Sequence, residues 1–196
     1  DCYHCSEAIN MIRKIFIAMF LTAILFFAQN AHAEPHVNYR VYVQDYGWMR
    51  PVRDGEVAGT TGRSKRLEAI VIDFDGIEYN PHVQDYGWRG WVPSGVIAGT
   101  TGESRRMEAI RIRLKGSNAN RYDVYYRVHI EDIGWTNWVR NGEVAGTTGE
   151  GLRMEAIAIR VVQKGRDYYD DYYDDYYDDY YRGRNRDRGR YDDGWY

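Results

Sequence analysis

The sequence predicts an all-β domain built from three similar repeats. Three motifs occur three times in the same order: Gly-Trp, Ala-Gly-Thr-Thr-Gly and Glu-Ala-Ile. In each repeat the glutamate follows the tryptophan by 20 residues without a gap, and the tryptophans are 40 and then 47 residues apart. The last segment of each repeat alternates apolar and polar side chains, which is typical of a half-buried strand. Internal identity at this period is the signature of a repeat architecture.

The first predicted strand of each repeat also alternates. Between Tyr39 and Val43 every second side chain is apolar and lies on one face, and the corresponding strands begin at Tyr79 and Tyr126. Pro81 falls inside the second of these strands. Because proline has no N–H to donate to a sheet, it indicates an edge position or a bulge there.

The middle of each repeat is rich in turn residues. A second tryptophan follows Gly-Trp in repeats two and three, at Trp91 and Trp138, whereas Pro51 occupies this place in repeat one. A glycine-containing turn then leads to Ala-Gly-Thr-Thr-Gly. Two glycines around two β-branched threonines predict a tight corner or bulge with close backbone contacts.

The last predicted strand is the clearest one. In repeat one the residues Glu68, Ile70, Ile72 and Phe74 share a face. The equivalent residues are Glu108, Ile110, Ile112 and Leu114 in repeat two and Glu155, Ile157, Ile159 and Val161 in repeat three. After residue 33 no segment shows helical periodicity over more than one turn, so about four short strands are predicted for each repeat.

The three repeats are expected to close on each other. One unit of this size cannot bury its own apolar face, whereas three units can form a common core and leave no free sheet edge. We expect a β-prism-like arrangement of three sheets around a pseudo-threefold axis, with a β-trefoil second and a linear solenoid third. The domain spans residues 34–164, and its repeats cover about 38–76, 77–116 and 122–164.

The N-terminal segment has the composition of an export signal. Residues 11–33 contain a short basic region, an apolar run from Ile15 to Phe27 and the small-residue site Ala31-His32-Ala33, which predicts cleavage before Glu34. The run is too short to predict a permanent membrane span. Residues 1–10 precede Met11 and are interpreted as translated upstream sequence, so we expect no metal or redox role for Cys2 and Cys5.

Charge divides the chain into two parts. The formal net charge is −3, and it resides in the C-terminal segment, because the repeats hold equal numbers of acidic and basic residues. This balance gives no indication of a nucleic-acid partner. Residues 165–196 are rich first in tyrosine and aspartate and then in arginine and glycine, which predicts a disordered tail. The predicted exported chain contains no cysteine, so core burial must hold it together.

The tryptophans are the first candidates for ligand binding. An indole face stacks on sugar rings, and its N–H can bond a hydroxyl. For Trp48, Trp88 and Trp135 the alternative is that each fills one lobe of the core, and we favour this alternative. Trp91 and Trp138 are better ligand candidates because repeat one lacks their equivalent.

The glutamates of Glu-Ala-Ile are the second set of candidates. Glu68, Glu108 and Glu155 are in phase with buried isoleucines, and a carboxylate near a core needs partners. Arg66, Arg106 and Arg153 stand two residues earlier in the respective repeats, so structural pairing is favoured over ligand contact.

No catalytic constellation is apparent in the sequence. Three equal carboxylates do not provide the two different environments that a glycosidase requires, and His82 and His129, one per repeat in two repeats, make a poor metal set. Asp45, Asp85 and Asp132 precede the Gly-Trp step by two residues and are interpreted as Asx-type turns. We therefore expect no enzyme activity and no cofactor or metal.

The motifs resemble the clostridial hydrophobic repeats with a conserved tryptophan, called ChW repeats. The resemblance lies in Val-Gln-Asp-x-Gly-Trp, Ala-Gly-Thr-Thr-Gly and Arg-x-Glu-Ala-Ile, and it extends roughly from Tyr39 to Val162. Members of this family occur in secreted and surface proteins and as wall-binding modules joined to cell-wall hydrolases. The resemblance implies an extracellular binding module and leaves its ligand open.

Two functions are compatible with these observations. The first is a secreted, non-catalytic, monomeric module that binds extracellular polysaccharide or a peptidoglycan-type polymer through three similar weak sites. The second is a protein-binding or structural surface component that acts through the charged tail.

Overall fold

Short strands dominate the part of the chain that the structure describes. The structure is a computed structural model, and it describes residues 35–165. The predicted export signal at 11–33, residues 1–10 and the tail from residue 166 onward lie outside these residues, so the predictions made for them are not tested.

Each repeat contributes five strands rather than the predicted four. Repeat 1 contains β1 (Asn38–Val43), β2 (Gly47–Trp48), β3 (Val52–Arg53), β4 (Ala58–Gly59) and β5 (Leu67–Asp73). Repeat 2 contains β6 (Ile77–Val83), β7 (Gly87–Trp88), β8 (Val92–Pro93), β9 (Ala98–Gly99) and β10 (Met107–Leu114). Repeat 3 contains β11 (Tyr122–Ile130), β12 (Gly134–Trp135), β13 (Val139–Arg140), β14 (Ala145–Gly146) and β15 (Met154–Gln163). The extra strand arises because the turn-rich middle segment of each repeat contains three short strands, each of which pairs with a longer strand.

The first and last strands of each repeat form its antiparallel centre. β1 pairs with β5, β6 with β10 and β11 with β15, and two short strands of the same repeat pair with the outer edge of the first strand. Pro81 lies in β6, opposite Ile110 of β10. Along β6 it stands between the residues that pair with β7 and those that pair with β8, so no ladder hydrogen bond is lost through its missing N–H.

One short strand of every repeat belongs to the sheet of another repeat. β4 of repeat 1 pairs with β15 of repeat 3, β9 of repeat 2 with β5 of repeat 1, and β14 of repeat 3 with β10 of repeat 2. The exchange is cyclic, so the three repeats close on each other and do not form a linear solenoid. The three five-stranded sheets are separate, which agrees with the predicted β-prism-like arrangement rather than with a β-trefoil.

A single hydrophobic cluster joins the three repeats, and equivalent residues of each repeat contribute to it. Ile70, Ile110 and Ile157 are all completely buried, as the predicted symmetry requires. The other fully buried large side chains include Tyr39, Tyr79, Tyr126, Leu67, Met107, Met154, Ile72, Ile112 and Ile159. Each buried aliphatic side chain of this size stabilises the fold by about 1.5–3 kcal/mol, so equivalent positions contribute comparably in all three repeats.

The buried tyrosines link neighbouring repeats through hydrogen bonds. The Tyr39 hydroxyl accepts from the backbone N–H of Ile159 at 3.1 Å and donates to the carbonyl oxygen of Glu56. Tyr79 and Tyr126 repeat this pattern with Ile72 and Val96, and with Ile112 and Glu143. Burial raises the pKa of all three phenols, that of Tyr126 to about 12. The tyrosines therefore remain neutral donors at physiological pH.

A bulge near the start of the last strand changes which residues face the core. The register against the first strand shifts between the residues that flank Glu68, and the same shift occurs in repeats 2 and 3. The core residue at this end is consequently Leu67, Met107 or Met154, and not the glutamate. The prediction that each glutamate lies in phase with the buried isoleucines is therefore wrong.

The longer spacer between repeats 2 and 3 forms a short helix that was not predicted. Helix α1 (Gly116–Arg121) has six residues, too few to produce an amphipathic pattern in the sequence. Asn118 donates to the carbonyl oxygen of Asp75 at 2.9 Å, and Lys164 donates to the carbonyl oxygen of Ala119 at 2.8 Å. The helix thus fastens the turn between repeats 1 and 2 to the end of repeat 3. Nowhere in residues 35–165 is there a helix with the length and apolar character needed to traverse a bilayer.

Candidate functional site

The three Gly-Trp tryptophans lie on the outer faces of the sheets, not in the core. Trp48 is half-buried and pairs across the strands with Tyr42, against which it packs edge-on with ring centroids 5.6 Å apart. In the other repeats histidine replaces the tyrosine, and the His82–Trp88 and His129–Trp135 centroids are 5.2 and 5.5 Å apart. The interpretation of these tryptophans as core plugs is wrong, because the buried tyrosines fill that role.

An arginine lies over the ring of each Gly-Trp tryptophan. Arg40 covers Trp48 at 4.8 Å from the ring centroid. The equivalent contacts are Arg111 over Trp88 at 4.3 Å and Arg127 over Trp135 at 4.9 Å. Such a contact contributes about 0.5–2 kcal/mol, depending on how far the cation is desolvated.

The arginine comes from different strands in different repeats. Three cross-strand pairs occupy equivalent positions: Arg40 with Val71, Asn80 with Arg111, and Arg127 with Ala158. Each pair contains one arginine, supplied by the first strand in repeats 1 and 3 and by the last strand in repeat 2. Every repeat therefore places a guanidinium beside its Gly-Trp tryptophan, although the arginine that supplies it lies in the first strand of two repeats and in the last strand of the other.

The second tryptophans are also stacked with arginine. Trp91 and Trp138 are half-buried, with Arg113 at 3.9 Å from the first ring centroid and Arg160 at 4.6 Å from the second. In repeat 1 the tryptophan and the arginine are lost together, since Pro51 and Asp73 stand in their places. The tryptophan and its arginine thus behave as one unit within this chain.

Repeat 3 carries the longest series of these contacts. Arg127 lies 4.9 Å from the centroid of Trp135 and 4.8 Å from that of Trp138, and Arg160 lies near both Trp138 and Tyr125. We call this alternating set, Trp135–Arg127–Trp138–Arg160–Tyr125, the Arg–Trp row. It runs across the outer face of the repeat 3 sheet.

The glutamates of Glu-Ala-Ile are buried beside these aromatic groups. Glu68, Glu108 and Glu155 are only 4–5% exposed. The distances from the Nη2 atoms of Arg66, Arg106 and Arg153 to the respective carboxylates are 2.7, 2.8 and 2.9 Å. The predicted structural pairing with arginine is confirmed, and direct ligand contact by these glutamates stays a prediction.

Histidine adds a second contact to two of the glutamates. His82 Nδ1 lies 3.1 Å from Glu108, and His129 Nδ1 lies 3.2 Å from Glu155, although neither nitrogen is aligned for a hydrogen bond. The bulge turns each carboxylate toward the histidine and so toward the Gly-Trp tryptophan. Tyr42 takes this place in repeat 1, where Glu68 pairs with Arg66.

The Ala-Gly-Thr-Thr-Gly corner brings another repeat to each glutamate. The backbone N–H of Thr60 donates to the carbonyl oxygen of Glu155 at 2.9 Å, and Thr100 and Thr147 contact Glu68 and Glu108 in the same way. A side chain at Gly59 would meet the backbone of Glu155 and Ala156, so the glycine permits this close approach. The predicted tight corner is confirmed, and each candidate site lies where two repeats meet.

The aspartates of the Gln-Asp-x-Gly-Trp turn do not form the predicted Asx turns. Asp45, Asp85 and Asp132 adopt positive φ values of 62–65°, which a short polar side chain tolerates. The carboxylate of Asp45 lies 2.6 Å from the Lys65 ammonium, and that of Asp85 contacts Arg105. In repeats 1 and 2 the aspartate therefore closes the turn through an ion pair.

The stacked arginines are the functional candidates that sequence reasoning missed. They occupy different positions in different repeats, so comparison of the motifs does not align them. The common loss of Trp and Arg in repeat 1 was the available signal. In residues 35–165 no three His, Cys, Asp and Glu side chains are grouped so that they could hold a metal ion. The site offers aromatic surfaces, guanidinium donors and imidazoles.

The family assignment rests on these same repeats. The family model described as Clostridial hydrophobic W, ChW, matches residues 42–76, 82–116 and 129–163, which is more than half of the 196-residue chain. The chain belongs to the ChW family. Each ChW match begins at the side chain that packs edge-on against the Gly-Trp tryptophan: Tyr42, His82 or His129. Comparisons with curated proteins and with solved structures found no match.

Proposed function

We propose that this ChW protein is an exported, non-catalytic module that binds extracellular polysaccharide or a peptidoglycan-type polymer. The observation that carries the proposal is the recurrence of one cluster on all three outer sheet faces. Each cluster combines a half-buried tryptophan, an edge-on tyrosine or histidine and a stacked arginine. In repeats 2 and 3 a second tryptophan stacked with arginine, Trp91 or Trp138, enlarges the aromatic surface of the cluster.

The chemistry of the cluster suits a sugar. A pyranose ring offers apolar C–H faces and polar hydroxyl edges, and indole supplies matching stacking surface and one N–H donor. The guanidinium beside it has several donors in a plane, and the imidazole of repeats 2 and 3 adds a group that donates or accepts. No deep cavity is needed, because a polymer lies along a surface.

The carboxylates support binding rather than hydrolysis. A glycosidase needs two carboxyl groups in different environments, one able to donate a proton and one ionised. Here each repeat supplies one buried glutamate, and all three are paired with arginine in the same geometry. The glutamates therefore act as fixed anions that hold Arg66, Arg106 and Arg153 near the aromatic groups.

Three sites on one domain compensate for weak individual affinities. Once one site is bound, the others meet the polymer at a high effective concentration. Because the sheets surround a pseudo-threefold axis, their outer faces point in different directions. This arrangement favours a network of chains, such as a cell wall, over a single straight strand. The predicted export signal at residues 11–33 and a location at or beyond the cell surface are part of the same proposal.

Pull-down of the full-length chain with insoluble cell-wall material tests the proposal. The double variant W91A/W138A should lose most of the bound fraction and remain folded, because these side chains are half-buried and lie outside the core. The matched control is V57A/I97A, which removes two exposed apolar side chains that are 47% and 52% accessible. Undiminished binding by W91A/W138A would remove the second tryptophans from the site.

The alternative function, a surface component that acts through the charged tail, is tested by deletion of the tail. A chain that lacks residues 165–196 should bind walls as the full chain does if the repeats carry the function. Loss of binding on this deletion, with unchanged binding by W91A/W138A, would instead favour a surface component that acts through the tail.

A further inference from the structure

Arg127 is a stacked cation with no anion to balance it in the described part of the chain. Two indole rings flank its guanidinium, at 4.9 and 4.8 Å. No carboxylate in residues 35–165 forms an ion pair with it, and its buried Nε has no hydrogen-bond acceptor. A cation that is partly withdrawn from water without a partner carries a desolvation cost, and an incoming anion offsets that cost.

The neighbouring anions are already engaged. Glu155 pairs with Arg153, and Arg153 also bonds Glu131. In repeat 2, Glu78 pairs with Arg113 at 2.8 Å and Lys115 at 3.0 Å, and these two cations hold the pKa of Glu78 below its ordinary value. Arg113 is thus neutralised within the chain, whereas Arg127, like Arg111 in repeat 2, forms no ion pair within residues 35–165.

The stacking limits what Arg127 can bind. Because two indole rings already contact the guanidinium, its remaining N–H groups are the points of contact left for a ligand. A fork of N–H donors in one plane matches the two oxygens of a carboxylate or a phosphate and is poorly used by a single hydroxyl. The geometry therefore favours an oxyanion over a neutral sugar.

The three repeats differ in the tryptophans that contact the arginine and in the charges that lie beside it. Repeat 1 has Arg40 on Trp48 but lacks the second tryptophan, and its Asp73 stands where repeat 3 has Arg160. A carboxylate at that position repels an anionic ligand. Repeat 2 has Arg111 on Trp88 without an ion-pair partner among the described residues, beside the neutralised Arg113. Because Arg127 is stacked on two indoles and Arg111 on one, we expect anion affinity to decrease from repeat 3 to repeat 2 and then to repeat 1.

We propose that the Arg–Trp row of repeat 3 is an oxyanion subsite, with Arg127 as the residue that binds a carboxylate or a phosphodiester of the polymer. This inference rests on the proposed function and narrows it: the polymer is acidic, and the three sites are unequal. Trp135 and Trp138 hold the guanidinium in place and give the adjoining sugar an apolar surface. Arg160 continues the row from Trp138 to Tyr125.

Binding of the full-length chain to matched soluble polymers tests the subsite. Polygalacturonate and its fully methyl-esterified form share one backbone and differ in the carboxylate, and poly(glycerol phosphate) supplies the phosphodiester. Isothermal titration at about 0.1 M salt, where charges are screened beyond about 10 Å, should show at least tenfold tighter binding to one of the acidic polymers than to the ester. The acidic polymer that binds better identifies the anion.

Three arginine variants distinguish specific binding at Arg127 from a general attraction between positive charge and the acidic polymer. R127Q should weaken binding to the acidic polymer about tenfold or more. R40Q removes an arginine with the same stacking on tryptophan and the same cross-strand position in repeat 1, and it should change binding less than twofold. R127K keeps the charge but lacks the planar fork, so it should fall between the parent and R127Q; it also replaces R127Q if that variant fails to fold.

Equal losses in R40Q and R127Q would overturn the subsite. Equal binding to polygalacturonate and its methyl ester, with poly(glycerol phosphate) no tighter, would overturn the acidic ligand while leaving the wall pull-down, and with it the proposed function, intact. Failure of the pull-down by the parent protein would remove the proposed wall-binding function, whereas binding to a soluble acidic polymer that R127Q weakens would still support the oxyanion subsite.

Discussion

The hydroxyl of Tyr39 accepts a hydrogen bond of 3.1 Å from the backbone N–H of Ile159, across 120 residues of sequence. This bond joins the first strand of repeat 1 to the last strand of repeat 3. The same sheet receives β4 from repeat 1, which pairs with Ala156 and Ile157. The contact between the two ends of the domain therefore uses the same groups as the contacts between consecutive repeats.

Replacement of Tyr39 by phenylalanine should destabilise the domain by about 1–3 kcal/mol, because it leaves the buried Ile159 N–H without its acceptor. Denaturant unfolding measures the change. Y79F should show a similar loss because its hydroxyl has equivalent bonds. Y46F, at a side chain that is 51% exposed, is the control and should change stability little. A Y39F effect as small as that of Y46F would contradict the closing role.

Stability should fall in alkaline solution as the buried phenols are forced to ionise. Burial raises the pKa of Tyr126 to about 12 from an ordinary value of 10.0. The folded state then holds its proton more tightly than the unfolded state does, so this stabilisation is complete below about pH 10 and is lost as the pH rises towards about 12. Urea unfolding between about pH 8 and pH 12 should show the decline. In Y126F the decline should be shallower, and an unchanged slope would count against the assignment.

Gly59→Ala should be among the most damaging small substitutions in the domain. An added Cβ would lie 2.8 Å from the Ala156 Cα and in conflict with the Glu155 carbonyl oxygen, at a φ of +112°. Gly62→Ala is the matched control, since it also has a positive φ but no atom within 4 Å of the added Cβ. We expect about 1 kcal/mol for Gly62→Ala from backbone strain and about 3 kcal/mol or more for Gly59→Ala. Thermal unfolding of both variants decides the matter, and equal losses would mean that β4 is not tightly packed.

The buried Arg106–Glu108 pair should be strongly coupled. Removal of one member leaves the other charge without its partner, which costs about 3 kcal/mol at a site of this burial. The double variant R106A/E108A should lose less than the two single variants together, and a double-mutant cycle measures the difference. Glu103→Ala, at a side chain 48% exposed, should cost about 0–1 kcal/mol. Additive losses would indicate that the two groups are held independently.

Deletion of residues 122–164 should unfold the first two repeats. The deletion removes β15 and β14, so β4 loses the strand it pairs with and β10 loses the strand it receives. Replacement of these residues by a second copy of 77–116 should restore a folded domain, because the repeats offer equivalent edges. Circular dichroism and the cooperativity of unfolding report both outcomes. A cooperatively folded two-repeat fragment would argue against an obligatory ring.

The sequence predicted the first and last strand of each repeat, the closure of the three repeats and the pairing of the glutamates, because the motifs that make these contacts recur in every repeat. It did not predict the bulge beside Glu68, since an unbroken period of two placed that residue with Ile70. Tyrosine and tryptophan are both large enough to fill a core, and only the register, which pairs Trp48 with Tyr42, shows which one is inside. The stacked arginines were hidden for a similar reason: Arg40 and Arg111 belong to different strands and meet only when the sheet forms.

The exchange of β4, β9 and β14 also determines how such a protein can change in size. One repeat taken alone has one strand to give and one edge to fill. Three unlinked copies therefore complete the same set of hydrogen bonds that this single polypeptide completes, and the domain is equivalent to a fused homotrimer. Because the exchange among three repeats is already closed, a fourth repeat would leave both its own short strand and its own receiving edge unpaired.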